Sequence, residues 1–182
     1  MVRHLQENPH SPVVVGFSPH EHVAELYCLQ PLLSGRVVLF VAKRFYWTDR
    51  HLPAFCGLTS YRCCTWNSLY DRFSRGMIYR HFRWTAMAGE RAIATADTPA
   101  LTMEQILAGA NRWLYGQMKA AGLSRCERVV ILLLSENRRG GLSSRRLSHY
   151  KTSGLVKLGM TRHAGSLYRG VKVRPVLQHR LP

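Results

Sequence analysis

Acidic residues are what this sequence has least of. Its 182 residues include 10 Asp and Glu against 26 Lys and Arg, a formal charge of +16. No acidic residue follows Glu136, whereas eleven Lys or Arg do. So few carboxylates do not spell out a two-metal nuclease centre. Asp71, Glu90, Asp97 and Glu104 occupy the middle of the chain and read as caps, turns or surface residues; Glu104 falls in a first helical turn, where the dipole favours it. Long apolar runs are also lacking. VVLFVA and VVILLL are strand-length, far below the roughly 20 residues of a membrane span. The N-terminal MVRHLQENPHSPVVVGF holds no signal-peptide run. The expectation is a cytoplasmic protein with no transmembrane segment, whose contact with a membrane is peripheral, at the inner membrane surface.

Further absences narrow the chemistry. No G-x4-G-K-[ST] phosphate loop occurs. Cys56, Cys63 and Cys64 lie near His51, but their spacing lacks the paired knuckles of a zinc site, so no metal is assigned and the thiols read as free and buried. Five cysteines at irregular spacing suit a reducing compartment. Internal repeats and Pro/Gly/Ser-rich linkers are missing too, and residues 1–182 read as a single basic α/β domain.

What is present is positive charge and aromatic rings. A field of this sign favours DNA or another polyanion. Twelve of the eighteen aromatic residues lie between Phe40 and Trp84, interleaved with arginines as in RFYWTDR and YRHFRW. Most should be core, but exposed members of the Phe45, Tyr46, Trp47 group could stack on bases.

The hydrophobic pattern predicts a strand in SPVVVGF and a helix in SPHEHVAELYCL, with Ser18 as N-cap, Pro19 in the first turn and Glu21 closing a capping box. RVVLFVA (36–42) reads as a buried strand. WNSLYDRF reads as a helical turn with Trp66, Leu69, Tyr70 and Phe73 on one side. MIYRHFRWTAM and RAIATA, joined by AGE, read as a hairpin. Thr102 and Gln105 form a capping box opening a helix that ends at Gly122. RVVILLL (128–134) reads as a buried strand, SSRRLSHYKTSGLVKLG as a helix, and 166–176 as a further strand. Strand, helix 102–121 and strand 128–134 would form a β-α-β crossover, giving an α/β fold with a mixed sheet.

Two segments offer chemistry. SENRRGGLSSRRLSHYK would join a strand to a helix, where α/β folds bind phosphates, and Arg138, Arg139, Arg145, Arg146 and Lys151 would surround the anion. Arg138-x-x-Gly141-x-Ser143 resembles the R-x-x-G-x-G/A loop of GNAT acyltransferases, which implies a coenzyme A pyrophosphate loop at 138–143; Ser143 departs from that pattern. In AGANRW (108–113) a Gly-x-x-Arg turn would present Gly109, Asn111 and Arg112 to a phosphate, while the same residues fit a core helix with Trp113 buried.

EQILAGANRWLYGQMKAAGLSRCERVVILLLSE resembles the ParB/sulfiredoxin superfamily pattern of A-G-E-R-R-W, a helix ending A-G-L, and a strand. The matched positions are Ala108, Gly109, Arg112, Trp113, Ala121, Gly122, Leu123 and Val129–Leu134. ENPHSP before HVAEL is similar to the N-P-x-Q-P-R box and its helix, and Glu136, Asn137, Arg138 and Arg139 to an E-N-x-Q-R segment. Ala110 and Asn111 stand where the pattern has E and R, and no cysteine lies in the turn, which removes the sulfiredoxin reaction. The superfamily includes plasmid fertility-inhibition proteins that block conjugative DNA transfer. The resemblance implies a DNA-directed action, nuclease and ATPase activity with ATP and a divalent metal, and conjugation machinery as partner. A non-enzymatic inhibitor that binds an acidic partner protein is an alternative from another class. No catalytic residue is assigned.

Overall fold

The computed structural model describes residues 11–72, 75, 76, 78, 80, 101–138, 140–160 and 170–178. Two β-branched runs start the sheet: β1 (Val13–Val15) and β2 (Val38–Ala42), joined by β3 (Tyr61–Thr65). They pair in parallel in the order β1-β2-β3, with Val14 opposite Leu39 and Phe40 opposite Cys63. Parallel neighbours need crossovers. Helices α1 (Val23–Leu33) and α2 (Trp47–Phe55) supply them.

The central strand β2 is buried at all five positions, and its side chains alternate between two apolar layers. Val38 and Phe40 join Val23, Leu26, Leu52 and Leu114 in the main core, so α1, α2 and the long helix over Met103–Ala120 cover one sheet face. Leu39 and Val41 pack with Cys64 and Ile78 on the other. Each of the fully buried aliphatic or aromatic side chains stabilises the fold by about 1.5–3 kcal/mol relative to exposure.

Helix α1 starts later than the sequence suggests. Residues 18–22 form turns, with Glu21 N–H bonded to Ser18 O, and Ser18 Oγ donates to Arg44 O instead of capping. The reason is tertiary: Gln178 Oε1 accepts from Val23 N–H at 2.8 Å, and Asp49 accepts from His20 N–H at 2.7 Å. Asp49 takes the His20 amide that a Ser18 cap could have held, and Gln178 takes the first amide of the helix that forms instead.

The short helix α3 (Trp66–Tyr70) follows β3 directly, with Thr65 Oγ1 accepting from Ser68 N–H. Of the residues expected on one side, Trp66 and Tyr70 are exposed, while Leu69 packs against the layer of Leu39 and Val41; Phe73 lies outside the described residues. Helix α4 (Met103–Ala120) forms as its capping box dictates: Thr102 N–H donates to Gln105 Oε1 at 2.9 Å, and Gln105 N–H to Thr102 Oγ1 at 3.3 Å. Gly122 follows its end with φ of 79°, a conformation glycine adopts without steric cost.

The RVVILLL segment is a helix, not a strand. It lies in α5 (Arg125–Ser135), opened by a second capping box in which Ser124 N–H donates to Glu127 Oε2 at 2.6 Å and Glu127 N–H to Ser124 Oγ at 3.3 Å. Glu127, Val130, Ile131 and Ser135 are buried at helical spacing, while Val129 faces outward. The crossover expected over 102–134 is therefore a helix pair, and the described sheet is wholly parallel instead of mixed.

Helix α6 (Ser144–Lys157) packs on α5 as an αα-hairpin. Gly154 allows the close approach: a Cβ there would lie 2.5 Å from Ile131 Cδ1. Glu127 joins the two helices, accepting from Ser153 Oγ at 2.6 Å and from Lys157 Nζ at 2.8 and 2.9 Å. The tail contains a 3-10 turn (Pro175–Leu177) and no strand over its described part, 170–178. Val171 and Val173 bury there, and Gly170 approaches Tyr46 too closely to admit a Cβ. Of the hairpin expected near 77–96, only Ile78 and Arg80 are described, and both are helical. The segment 1–10, with most of ENPHSP, lies outside the described residues.

Candidate nucleic-acid interface and strand-end cleft

Two regions carry charged or polar groups in an arrangement that can act on a ligand. The first is the helical part of the chain. Three of the seven described acidic side chains turn inward: Glu127 closes the α5 cap, just as Asp49 closes the α2 cap, and both are buried, as is Glu25, while Asp71, Glu104 and Glu136 are exposed. Among the described lysines and arginines only Arg36 is buried. The surface is thus more basic than the composition, because capping and packing consume negative charge.

The α5–α6 turn collects several of the residues expected to bind phosphate. Glu136 ends α5 and bonds to Lys172 and, at 3.4 Å, to Arg138 Nη1. These partners hold its carboxyl below the usual range, Lys172 most strongly. Glu136 is therefore an internal counter-charge for the turn and not a phosphate contact. Asn137 takes a left-handed φ of 59°, which Asn tolerates better than most residues, and reverses the chain. Arg138 is 69% exposed despite its contact with Glu136. Arg145 and Arg146 are exposed in the first turn of α6, and Lys151 is half-buried further along it. Ser143 makes no side-chain cap bond, and the first turn of α6 contains no acid. The amides and dipole at that end are left for solvent or an anion. Arg139 lies outside the described residues.

The α4 candidates are placed differently. Helix α4 begins at Met103, so residues 108–113 sit inside it and no Gly-x-x-Arg turn forms. Gly109 faces Phe55, whose ring would lie 3.4 Å from an added Cβ. Asn111 is structural, donating to Val173 O and accepting from Val173 N–H, and so fastens the tail. Arg112 is exposed and shares a stripe with Lys119, seven residues on. Trp113, expected to be buried, is 39% exposed and only flanks Phe55. Leu114 takes the core position.

Residues 108–113 do not fit an ATP phosphate, since their backbone amides belong to the helix ladder. Among the described residues no group of three or more His, Cys, Asp or Glu side chains is placed to hold a metal ion. The cysteines are free. Burial pushes the Cys56 and Cys63 thiols up to about 12, which makes them poor nucleophiles. His51 lies on the Trp47 ring, and burial followed by the Arg50 charge lowers its pKa. Trp47 is buried, while Phe45 and Tyr46 are half-buried, so Trp47 is not available for stacking. Arg138–Ser143 joins two helices, not a strand to a helix, so the setting of the acyltransferase loop is absent there.

The second region was not singled out from sequence. All three strands end on the same side, and the loops after β1 and β2, with Trp66 after β3, line a cleft of about 560 Å3. Here Asp49, fully buried in the first turn of α2, accepts from His20 N–H at 2.7 Å, Tyr46 N–H at 2.6 Å and His20 Nδ1 at 2.8 Å. A carboxylate can only accept, so Nδ1 carries a proton, and in the neutral ring Nε2 is the acceptor. Glu21 Oε1 lies 3.8 Å from Nε2. Such a histidine can act as a base or hydrogen-bond acceptor toward a bound hydroxyl. Lys43, Arg44, His22 and Ser18 also face the cleft. His20 and Asp49 are 29 residues apart, and only the parallel pairing of β1 with β2 brings them together.

No family model, curated protein or solved structure matches this chain.

Proposed function

We propose that this protein binds nucleic acid through the phosphate backbone, with Arg138, Arg145 and Arg146 of the α5–α6 turn as principal contacts. The carrying observation is the sorting of charge: three of the seven described acidic side chains, Glu127, Asp49 and Glu25, are buried, while Arg36 alone is buried among the described lysines and arginines. Arginines on a helix start without a capping side chain meet phosphates with both guanidinium and amide donors. Contacts of this kind position a backbone and carry little sequence information.

The ParB/sulfiredoxin resemblance makes DNA in conjugative transfer the proposed target. We carry the proposal to binding and to no nuclease or ATPase step, because the described residues do not fit ATP at 108–113 or a shared metal ion. The test is charge reversal. An Arg138→Glu/Arg145→Glu/Arg146→Glu variant is expected to keep its melting temperature, since all three side chains are exposed, and to lose DNA affinity by two orders of magnitude or more. Unchanged DNA binding overturns the assignment. Equal competition by polyglutamate of matched charge would favour an acidic protein partner instead.

A further inference from the structure

The strand-end cleft stands on residues that the basic α5–α6 turn does not share. Ligands of open α/β sheets bind outside the carboxyl ends of the strands, at a reversal of strand order; the order β1-β2-β3 has no reversal, so the cleft stands on its lining. A cleft of about 560 Å3 falls within the roughly 300–1,000 Å3 of small-ligand sites. Its lining combines three recognition chemistries. Lys43 and Arg44, adjacent at the end of β2 and both exposed, supply positive charge for an anion. Trp66, 47% exposed at the start of α3, offers a ring face to a planar group. His20 Nε2, fixed by the buried Asp49, supplies a directed acceptor.

Each feature alone has an ordinary structural explanation. A buried Asp bonded to two backbone amides would serve merely to tie the 16–22 loop to α2. That does not account for the histidine on the cleft wall, nor for an unburied tryptophan beside two cations. An anion, a flat ring and a hydroxyl on one small molecule describe a nucleotide.

We propose that the strand-end cleft binds a nucleotide: Lys43 and Arg44 hold its phosphate, Trp66 stacks on its base, and His20 Nε2 accepts from a sugar hydroxyl. The occupant is a free mononucleotide or the phosphorylated end of a nucleic-acid strand, which share this chemistry.

Calorimetric titration of the full chain with AMP tests the proposal, at about 150 mM salt to screen attraction by the surface. AMP is expected to bind at least tenfold more tightly than adenosine or inorganic phosphate. Lys43→Ala/Arg44→Ala should weaken AMP at least tenfold with the melting temperature unchanged, since both side chains are exposed. Trp66→Ala should weaken AMP and leave phosphate unaffected. The Arg138→Glu/Arg145→Glu/Arg146→Glu variant should bind AMP like the parent, which separates this site from the basic turn. Absence of AMP binding, or equal binding by the Lys43/Arg44 variant, overturns the proposal. Displacement of AMP by a 5′-phosphorylated oligonucleotide and not by its unphosphorylated form supports it with a strand end as occupant; displacement by neither supports it with a free nucleotide. Equal displacement by both contradicts it.

Discussion

Replacing Glu127 by Gln removes one charge and changes little else, so its consequences can be worked from the structure. Glu127 is 4% exposed and accepts from Ser124 N–H, Ser153 Oγ and Lys157 Nζ. Burial alone would raise its pKa, but hydrogen bonds from Lys157, Ser153 and Ser124 outweigh that and bring it from 4.5 to about 2. At about 1.4 kcal/mol per pH unit the shift has an upper limit of about 3.5 kcal/mol. Lys157 is 39% exposed, so screening reduces the figure to about 2 kcal/mol. Gln at this position must turn an NH2 group toward a donor, either Ser153 or the Ser124 amide, and leaves the Lys157 charge unpaired. For a domain of this size the loss lowers the melting temperature by roughly 4–8 °C. Thermal melts followed by circular dichroism at pH 7 measure it directly. Equal melting temperatures for parent and variant would refute Glu127 as the link between α5 and α6.

The same group sets an acid limit. Its folded pKa is depressed, so its contribution is present above about pH 4.5 and is lost as pH falls through about 2; the Gln variant should show a flatter melting profile over that window. Gly154→Ala should destabilise by about 1–3 kcal/mol despite the better helix propensity of alanine, because Ile131 is fully buried and cannot move aside; a stability gain in urea titration would contradict the close helix approach. Trp113→Ala should cost about 1–2 kcal/mol, below the roughly 3–5 kcal/mol of a fully buried ring, in the same titration. Arg112→Ala should leave the melting temperature unchanged and reduce DNA affinity by less than tenfold, as expected of a single peripheral phosphate contact.

What the sequence made legible follows from how local each signal is. The α4 box of Thr102 and Gln105, and the glycine after its end, are complete within a few residues. The apolar runs of β1 and β2 needed no distant partner to be recognised. The run RVVILLL was ambiguous because six apolar residues suit a buried strand or a buried helix face. The deciding signal was Ser124-x-x-Glu127, four residues before the run's centre. Strand β3, with Arg62, Cys63 and Cys64 in YRCCT, carries too little apolar pattern to stand out. The late start of α1 depends on Gln178, more than 150 residues away in the chain. The same non-locality hid the cleft, whose histidine lies in the loop after β1 and whose aspartate lies in the first turn of α2, apart until the sheet forms. In the sequence Asn111 and Glu136 suit a ligand contact or a structural bond equally, since a polar residue close to an arginine serves either role. Their hydrogen bonds to Val173 and Lys172 show that they hold the tail.

The salt dependence of DNA affinity tests the electrostatic reading most directly. Fluorescence anisotropy with a mixed-sequence duplex, repeated between about 50 and 200 mM salt, reads the number of counterions released. Contact with six or more phosphates predicts a loss of about a thousandfold or more over that range. A flat response, or no binding at the lowest salt, would contradict it.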